Sequence, residues 1–334
     1  MQMRTQSKNH KIIRTVLLVI LLFLIVAAGG FISVYEGRFQ TISSIQKVTD
    51  YDEYNLYRMD VKYDYDLDRL IEYGITDNQS FVDAIVKEAL PILPVHIKAP
   101  DFGCSAFTLQ EADGNVLMGR NYDFKRDTSA MLVYCEPKGG YKSVAFAALD
   151  NISANIPDVS MKKKLATLTA PFICLDGMNE KGLVANLLWL PETEYPVRDQ
   201  SKPGLAITAW VQYMLDNFAT VDEAVAFIDE NTFQVVSDLM PDGSRLATLH
   251  LSISDATGDC AIFEYTGGKL TVYHSKEYKV MTNSPTYNKQ LALNEYWKSI
   301  GGLSFLPGTN RPAERFARDS FHINALPQPD DVRI

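Results

Sequence analysis

The sequence predicts a mixed α+β fold in which helices pack on sheets, preceded by one transmembrane helix. An alternating pattern with an Asp-Gly turn is typical of a β-hairpin at 103–123. An amphipathic stripe indicates a helix at Leu205–Phe218, and three apolar runs separated by turns predict a meander at 246–274. Strands before and after a helical pair favour helices packed against sheets. With 334 residues, 46% of them hydrophobic, the chain is long enough for a large core.

The first 35 residues indicate a membrane segment. Residues 1–14 contain basic but no acidic side chains, and residues 15–35 carry no charge. At about 1.5 Å per residue, a helix of this length approaches the roughly 30 Å of a bilayer's hydrocarbon core. The basic flank predicts a cytoplasmic tail at 1–14, a single-pass cell-membrane anchor at 15–35 and an extracytoplasmic remainder. A cleaved signal peptide is the alternative, because Ala27-Ala28-Gly29-Gly30 offers small residues to a peptidase.

Residues 36–103 form a distinct segment ahead of the hairpin. Ser80 is predicted to cap a helix that runs to about Leu90, and three prolines break the chain after that helix. Two interpretations stay open at this point. The segment is either an exposed stalk or a pro-segment that precedes a processed domain.

A cysteine stands at the start of the hairpin pattern GCSAFTLQEADGNVLMGRNYD. Because a hairpin brings its two ends together, we expect Cys104 to lie close to Arg120 and Asp123. A nearby cation lowers the pKa of a thiol, so this group of side chains predicts a nucleophile. On spacing alone, a small buried cysteine beside a surface ion pair is an open alternative.

Further strands and helices follow the hairpin. Strands are predicted at Met131–Cys135, Ser143–Leu149, Phe172–Leu175, Leu183–Leu190, Leu246–Asp255, Asp259–Tyr265 and Lys269–His274. Helices are predicted at Met161–Leu168, at Leu205–Phe218 and from the capping box at 220–223 through Phe227.

Charge and cysteine usage exclude several classes of protein. The formal net charge of −9 argues against a nucleic-acid-binding protein, which would carry a basic face. Four cysteines stand far apart without a CxxC pair, and the five histidines lie in no metal motif. His250 and His274 are expected to be structural, with a Cys/His dyad as the open alternative. We predict no metal and no organic cofactor, while disulfide pairing and oligomeric state stay open.

Cys104, the strand after it and the sequence GRNYDF at 119–124 resemble the start of the mature chain in the choloylglycine hydrolase family. That family includes bile salt hydrolases and penicillin V acylases, with acid ceramidase and N-acylethanolamine acid amidase as more distant relatives. Further matches are NEKGL at 179–183, TNSP at 282–285, LPG at 306–308 and ERFAR at 314–318.

The resemblance implies a set of site residues and a fold. The implied catalytic residues are Cys104, Arg120, Asp123, Asn283 and Arg315. Asn283 falls on the asparagine of the oxyanion hole, and Trp189 stands where bile salt hydrolases have an asparagine, which makes it a substrate-pocket residue. For residues 104–334 the resemblance implies the four-layer αββα sandwich of N-terminal nucleophile hydrolases, lacking the last strands of the family.

The resemblance also implies an activity, the hydrolysis of a linear amide bond in a small N-acyl substrate. Cleavage of the Gly103–Cys104 bond would expose an α-amine as the general base, and a thioester on Cys104 would form without a cofactor. Three alternatives stay open: an acyltransferase that uses the same thioester, a non-catalytic membrane-tethered binding module of the same fold, and an envelope protein in which Cys104 forms a disulfide.

Overall fold

A large and a small sheet form the centre of the structure, a computed structural model that describes residues 2–48, 55–91, 103–123, 129–149, 161–229, 233–237, 246–301 and 306–328. The strands within these ranges are β1 (Gln46–Lys47), β2 (Leu56–Asp60), β3 (Gly103–Gln110), β4 (Val116–Asp123), β5 (Ala130–Cys135), β6 (Ser143–Ala148), β7 (Asp176–Asn179), β8 (Val184–Trp189), β9 (Gly204–Ala206), β10 (Gln234–Val236), β11 (Leu249–Ser254), β12 (Cys260–Thr266), β13 (Lys269–His274) and β14 (Val280–Thr282).

Helices precede, separate and follow these strands. Within the same ranges they are α1 (Gln2–Ser43), α2 (Leu67–Glu72), α3 (Asn78–Ala89), α4 (Met161–Ala166), α5 (Trp210–Asn217), α6 (Val221–Asp229), α7 (Tyr287–Ile300) and α8 (Pro312–Ala325), with 3₁₀ segments at Thr167–Ile173 and Ile207–Ala209.

The large sheet has the strand order β1-β2-β5-β6-β7-β8-β11-β12-β13, and the small one has the order β14-β3-β4. Every pair in the large sheet is antiparallel except β2 and β5. Alternate residues of β5, namely Met131, Val133 and Cys135, are buried, as expected for a strand with one face on the core. The meander predicted for 246–274 is confirmed as β11, β12 and β13.

The two sheets are stacked, with helices on both outer sides. Helix α5 packs on β6, β7 and β8, and α6 packs on β12. On the other side, β3 lies against β8, while α8 covers β3 and β14 and packs against α7. This confirms a mixed helix and sheet fold, and it places the start of β3, where Cys104 stands, between the two sheets.

The predicted hairpin is confirmed as β3 and β4. Its register pairs Cys104 with Tyr122 and Ala106 with Arg120. Gly114 adopts a φ of 93°, a left-handed conformation that costs a glycine nothing sterically. The Asn115 N–H donates to the Asp113 carboxylate at 3.1 Å and closes the turn at the predicted place.

Residues 55–91 belong to the core rather than to an exposed stalk. Strand β2 pairs in parallel with β5, so this segment contributes a strand to the large sheet. Met59, Leu70 and Ile85 are fully buried. Of the prolines expected to end the segment, Pro94 and Pro100 lie outside the described residues. The interpretation as a pro-segment stays a prediction.

Helix α1 continues without a break from the apolar segment into the folded domain. Its part from Thr15 to Ser43 is long and apolar enough to cross a membrane, and the mean hydropathy over its 18-residue apolar window is 2.9. Near its end, Arg38 donates to Ala89 O at 2.6 Å and to Glu88 O at 2.5 Å, which are carbonyls of the last turn of α3. A guanidinium is a favourable partner for these free helix-end carbonyls.

Two predicted helices differ from the structure. The helix expected from Leu205 begins only at Trp210, because Leu205 and Ala206 are buried in β9 and pair with β10. The helix expected from Ser80 begins earlier, since Asp77 is its N-cap. The Ser80 N–H donates to the Asp77 carboxylate at 2.9 Å, and the Asp77 N–H donates to Ser80 Oγ at 3.0 Å. Ser80 is thus the third helical residue of a capping box.

The region around Pro171 also differs from the prediction. The expected helix Met161–Leu168 ends at Ala166, and residues 167–173 continue as a 3₁₀ segment that contains Pro171. Phe172 lies in this segment rather than in the expected strand, which starts at Asp176 instead. Proline lacks the N–H that an α-helical turn requires, so a tighter segment replaces the regular helix at this point.

Candidate active site

The thiol of Cys104 is fully buried near the start of β3, beside the guanidinium of Arg120 on the neighbouring strand. Burial raises the pKa of the thiol, the cation of Arg120 partly offsets this by lowering it, and Asp176 and Asp123 raise it further. The net shift is upward, so the resting side chain is a neutral thiol at neutral pH. A nucleophile at this position therefore needs a base that removes its proton.

Arg120 is held by three partners. Its Nε donates to Asp176 Oδ1 at 2.6 Å, its Nη2 donates to Leu187 O at 3.1 Å, and its Nη1 donates to Asn121 O. Both side chains of the Arg120–Asp176 pair are only 8% exposed. Because Asp176 belongs to β7 and Leu187 to β8, these bonds connect the small sheet to the large one.

Sequence reasoning missed Asp176. Burial raises the pKa of its carboxyl, and the guanidinium of Arg120 partly offsets this shift. The residue is visible in the sequence directly before the turn GMNEKG, but 56 positions separate it from Arg120. No local pattern connects the two residues, since their contact exists only where the sheets are stacked.

Asn283 binds the backbone of Cys104. Its Oδ1 accepts the Cys104 N–H at 2.7 Å and an N–H of Arg315 at 2.9 Å, while its Nδ2 donates to Trp189 O at 2.8 Å. Two donors on Oδ1 fix which end of the amide is oxygen, so the NH₂ group is the end that contacts Trp189 O. One Nδ2 hydrogen is used by Trp189 O, which leaves the second hydrogen for another acceptor.

Arg315, in the first turn of α8, reaches from the helix layer to the main chain of Cys104. Its Nη1 donates to Cys104 O at 3.0 Å and to Ser105 Oγ at 2.8 Å. The carboxylate of Asp123 lies 3.6 Å from the same nitrogen and is 57% exposed. Burial lowers the pKa of Arg315, and Asp123 partly offsets this by raising it. At neutral pH the guanidinium remains charged.

The structure therefore brings together all five residues proposed as catalytic. Trp189 reaches the group through its backbone carbonyl, while its indole Nε1 donates to Thr248 Oγ1 at 3.1 Å. Its role as a substrate-pocket residue stays a prediction.

A cavity of about 490 Å³ opens beside this group. Arg120 and Asp176 form the polar part of its lining. Most of the remaining surface is apolar, contributed by Met118 and Tyr122 of β4 and by Val144, Phe146 and Met178 of the facing sheet. A space of this size accommodates an apolar group of drug-like dimensions beside Arg120 and Asp176.

The two histidines considered as partners of Cys104, His250 and His274, bind carboxylates instead. His250 Nδ1 lies 2.8 Å from Glu264, and His274 Nε2 lies 2.7 Å from Asp259. The Cys/His dyad is therefore not formed by His250 or His274. All four cysteines are free and buried, which contradicts the alternative of a disulfide at Cys104.

Comparison with known proteins agrees with this geometry. The family of linear amide C-N hydrolases called the choloylglycine hydrolase family matches residues 104–333. The chain belongs to the choloylglycine hydrolase family. Its matched region begins at Cys104, the residue on which the site is centred.

Three known proteins are similar to the chain. A penicillin V acylase from Pectobacterium atrosepticum is 46% identical over 228 residues, which are 67% of this chain and 56% of that protein. The structure of penicillin V acylase from Agrobacterium tumefaciens matches with a TM-score of 0.54 and 40% identity over 68% of this chain and 67% of that one. A cysteine-to-alanine mutant of the conjugated bile acid hydrolase from Clostridium perfringens matches with a TM-score of 0.50 and 25% identity over 66% and 72%. The chain thus spans about half the length of the curated relative.

Proposed function

We propose that the chain is an N-terminal-nucleophile amidase that hydrolyses the linear amide bond of an N-acyl substrate through a thioester on Cys104. The observation that supports this most directly is the amide of Asn283. Its oxygen accepts the Cys104 N–H at 2.7 Å, so this amide directly contacts the residue proposed as the nucleophile. Membership of a family of linear amide hydrolases supports the reaction class.

In the first step Cys104 would become the N-terminal residue. The Cys104 sulfur attacks the carbonyl carbon of Gly103, the acyl group moves from nitrogen to sulfur, and water then releases the preceding segment as a carboxylic acid. The products are a free thiol and a free α-amine on Cys104. An unperturbed α-amine has a pKa of about 7.7–8.0, which suits it as a base near neutral pH.

The catalytic cycle follows from the positions of the polar groups. The α-amine takes the proton of the buried thiol, and the sulfur adds to the amide carbonyl of the substrate. Asn283 donates its second Nδ2 hydrogen to the oxyanion, a contribution that is typically about 10²–10³ in rate. When the C–N bond breaks, the protonated α-amine gives its proton to the leaving amine.

Water then completes the reaction. The α-amine, again neutral, takes a proton from water as the water oxygen attacks the thioester carbonyl. The acid leaves and the thiol is restored. Arg120 stabilises the thiolate formed in each half-reaction, and Asp123 is expected to orient the α-amine. Arg315 fixes the Cys104 carbonyl and the Asn283 amide in their relative positions.

The substrate is proposed to carry an apolar acyl group, because the cavity beside Arg120 is mostly apolar. Penicillin V is the probe of choice, since two of the matched relatives are penicillin V acylases. Its aromatic acyl group would lie against Phe146 and Met178, with the amide carbonyl carbon at Cys104. The conjugated bile acid hydrolase match makes a bile-acid conjugate the second probe.

The catalytic part is proposed to be an αββα sandwich, and α1 is proposed to stay in place as a single-pass anchor of the cell membrane. The exposed apolar length of α1 supports the anchor, and the stacking of α5, two sheets and α8 supports the sandwich. The contact of Arg38, near the end of α1, with α3 would then hold the domain close to the outer face of the cell membrane.

The test combines processing with turnover in the purified full chain. Intact-mass and N-terminal analysis is expected to find a fragment that begins at Cys104. Release of the free amine from penicillin V is expected for the wild-type protein and is expected to be absent for the variant C104A. A thermal unfolding measurement on C104A serves as the folding control.

The outcomes separate the proposal from its alternatives. A folded chain that is never cut at Gly103–Cys104 lacks the α-amine base, and this result would refute the mechanism in favour of a non-catalytic binding module. A cut chain that turns over neither probe would retain the N-terminal nucleophile but refute the proposed substrates. Equal turnover by C104A would refute Cys104 as the nucleophile.

A further inference from the structure

Gln290, in the first turn of α7, is buried at 1% exposure and binds the loop that carries Asn283. Its Nε2 donates to Asn283 O at 2.7 Å and to Pro285 O at 2.6 Å, and a third carbonyl, Thr282 O, lies 3.3 Å away. Its Oε1 accepts the hydroxyl of Thr282 at 3.2 Å. One side chain therefore binds the main chain on both sides of Asn283.

The loop has a second anchor at its far end. The N–H of Tyr287, the first residue of α7, donates to both oxygens of the buried Glu264 at 3.1 and 2.9 Å. Glu264 fixes the helix start, while Gln290 fixes the carbonyls of residues 282–285. The main chain of Asn283 is thus anchored to the start of α7, although its side chain binds Cys104.

We propose that Gln290 is a positioning residue, which sets the direction of the Asn283 amide and so the efficiency of the oxyanion site; this inference rests on the proposed amidase function. A donor stabilises an oxyanion only at about 2.7–3.1 Å from it. Because the Asn283 side chain is short, a shift of its backbone carries over to the amide almost unchanged. Gln290 touches no substrate atom and acts through Asn283.

The donors and acceptors around Gln290 lead to the same positioning role. The Nε2 group has two hydrogens, and the three carbonyls around it use both. In a buried setting, the loss of these donors leaves main-chain oxygens without partners, so the loop is expected to move toward other donors. Asn283 O is among these oxygens, which connects the change directly to the oxyanion donor.

A double-mutant cycle on the full chain tests the proposal. The variant Q290M keeps the length of the side chain and removes its hydrogen bonds. If Q290M does not fold, Q290E takes its place, because its carboxyl group keeps the acceptor for Thr282. Each is measured alone and combined with N283A, with penicillin V as the probe. The matched control is Q212M, because Gln212 is equally buried and its Nε2 donates to Tyr65, Ser143 and Asp216 in α5, away from Cys104.

We expect Q290M to lower kcat, and we expect this loss only when Asn283 is present. Q290M should lower kcat roughly tenfold, a fraction of the 10²–10³ that the oxyanion donor supplies, with KM changed less than about twofold. In the N283A background the same change should alter kcat less than about twofold, because the group through which Gln290 acts is gone. Q212M should lower the Tm to a similar extent while kcat stays within about twofold of the wild type.

A tenfold loss in both backgrounds would overturn the proposal, since it would show a general structural role. Unchanged kcat in a folded Q290M would overturn it as well. Hydrogen exchange provides a readout without turnover: peptides covering 280–288 should exchange faster in Q290M and not in Q212M. If the wild-type protein hydrolyses no amide, the proposed function fails, and the exchange result alone then decides whether Gln290 holds this loop.

Discussion

The replacement of Asp176 by asparagine tests how the site controls its thiol. Asp176 raises the pKa of Cys104 and at the same time occupies Arg120 Nε at 2.6 Å. Asparagine has nearly the same shape, and its carbonyl oxygen can still accept from Arg120. The variant D176N therefore removes one negative charge while leaving the packing in place, and it lets the positive charge of Arg120 act more strongly on the thiol.

The size of the effect follows from the positions of the charges. Arg120 contacts both the carboxylate and the thiol, so these two groups are separated by the width of one guanidinium. A unit charge about 6 Å away contributes about 3 kcal/mol at an effective dielectric constant of about 20. This corresponds to about 2 pKa units. We expect the pKa of the Cys104 thiol to fall by about 1–2 units in D176N, since relaxation reduces the full Coulomb value.

The assay is the pH dependence of alkylation of Cys104 by iodoacetamide, with the modified peptide identified by mass spectrometry. Burial raises the pKa of the other cysteines, to about 11 for Cys260, so their reaction lies at higher pH. At pH 7 the alkylation rate of Cys104 should rise about tenfold or more, as a drop of one pKa unit implies. Turnover should fall in the same variant, because the neutral amide of asparagine holds the Arg120 guanidinium more weakly than the carboxylate does.

The control is D123N, whose carboxylate is 57% exposed and lies 3.6 Å from Arg315. Solvent screens this charge, so its removal should shift the alkylation profile of Cys104 by less than about 0.5 units. An alkylation profile of D176N that stays in place or moves to higher pH, in a variant with a normal Tm, would refute the assignment of Asp176 as the group that balances Arg120.

Three further predictions concern other parts of the chain. Burial raises the pKa of Asp216 from its usual value of 3.8 to about 8. The folded state therefore keeps this proton to higher pH than the unfolded state does, and the free energy of unfolding falls as pH rises toward 8. D216N should therefore raise the Tm strongly at pH 8 and little at pH 4, and an equal gain at both would contradict this. A Cβ at Gly37 would lie 2.5 Å from Lys62 O, so G37L should weaken the contact of α1 with the domain. The expected loss is about 1–3 kcal/mol in urea unfolding, with faster hydrogen exchange of residues 55–63. Unchanged exchange would argue against docking of α1 on the domain. R315K keeps the charge but loses the paired bonds to Cys104 O and Asn283. The kcat should therefore fall about tenfold or more at unchanged Tm. A kcat equal to that of the wild type would show that the positive charge alone suffices.

The connection between the two sheets explains why the site requires the whole fold. Cys104 and Arg120 come from the small sheet, Asp176 and Trp189 from the large sheet, and Arg315 from the helix layer outside the small sheet. Arg120, Asn283 and Arg315 each bind a residue of another layer, and such bonds are expensive to break in a buried environment. The geometry of the site and the stacking of the sheets are therefore maintained by the same bonds.

The sequence by itself determined the features that depend on neighbours along the chain. The hairpin that joins Cys104 to Arg120 follows from alternation and an Asp-Gly turn, because strand pairing across a short turn is a local event. The apolar length of α1 likewise needs no tertiary information. Asn283 and Arg315 were found through their family motifs, since their distances of 179 and 211 positions from Cys104 carry no local signal.

Only the tertiary structure decided the remaining features. The pairing of Arg120 with Asp176, the contacts of Gln290 with the Asn283 loop and the entry of β2 into the large sheet each depend on how separate elements stack. Tertiary pairing also turned the expected helix start at Leu205 into a strand. The physical reason is common to these cases: a buried polar group or strand edge takes whichever partner the packing places beside it, and that choice is made in space rather than along the sequence.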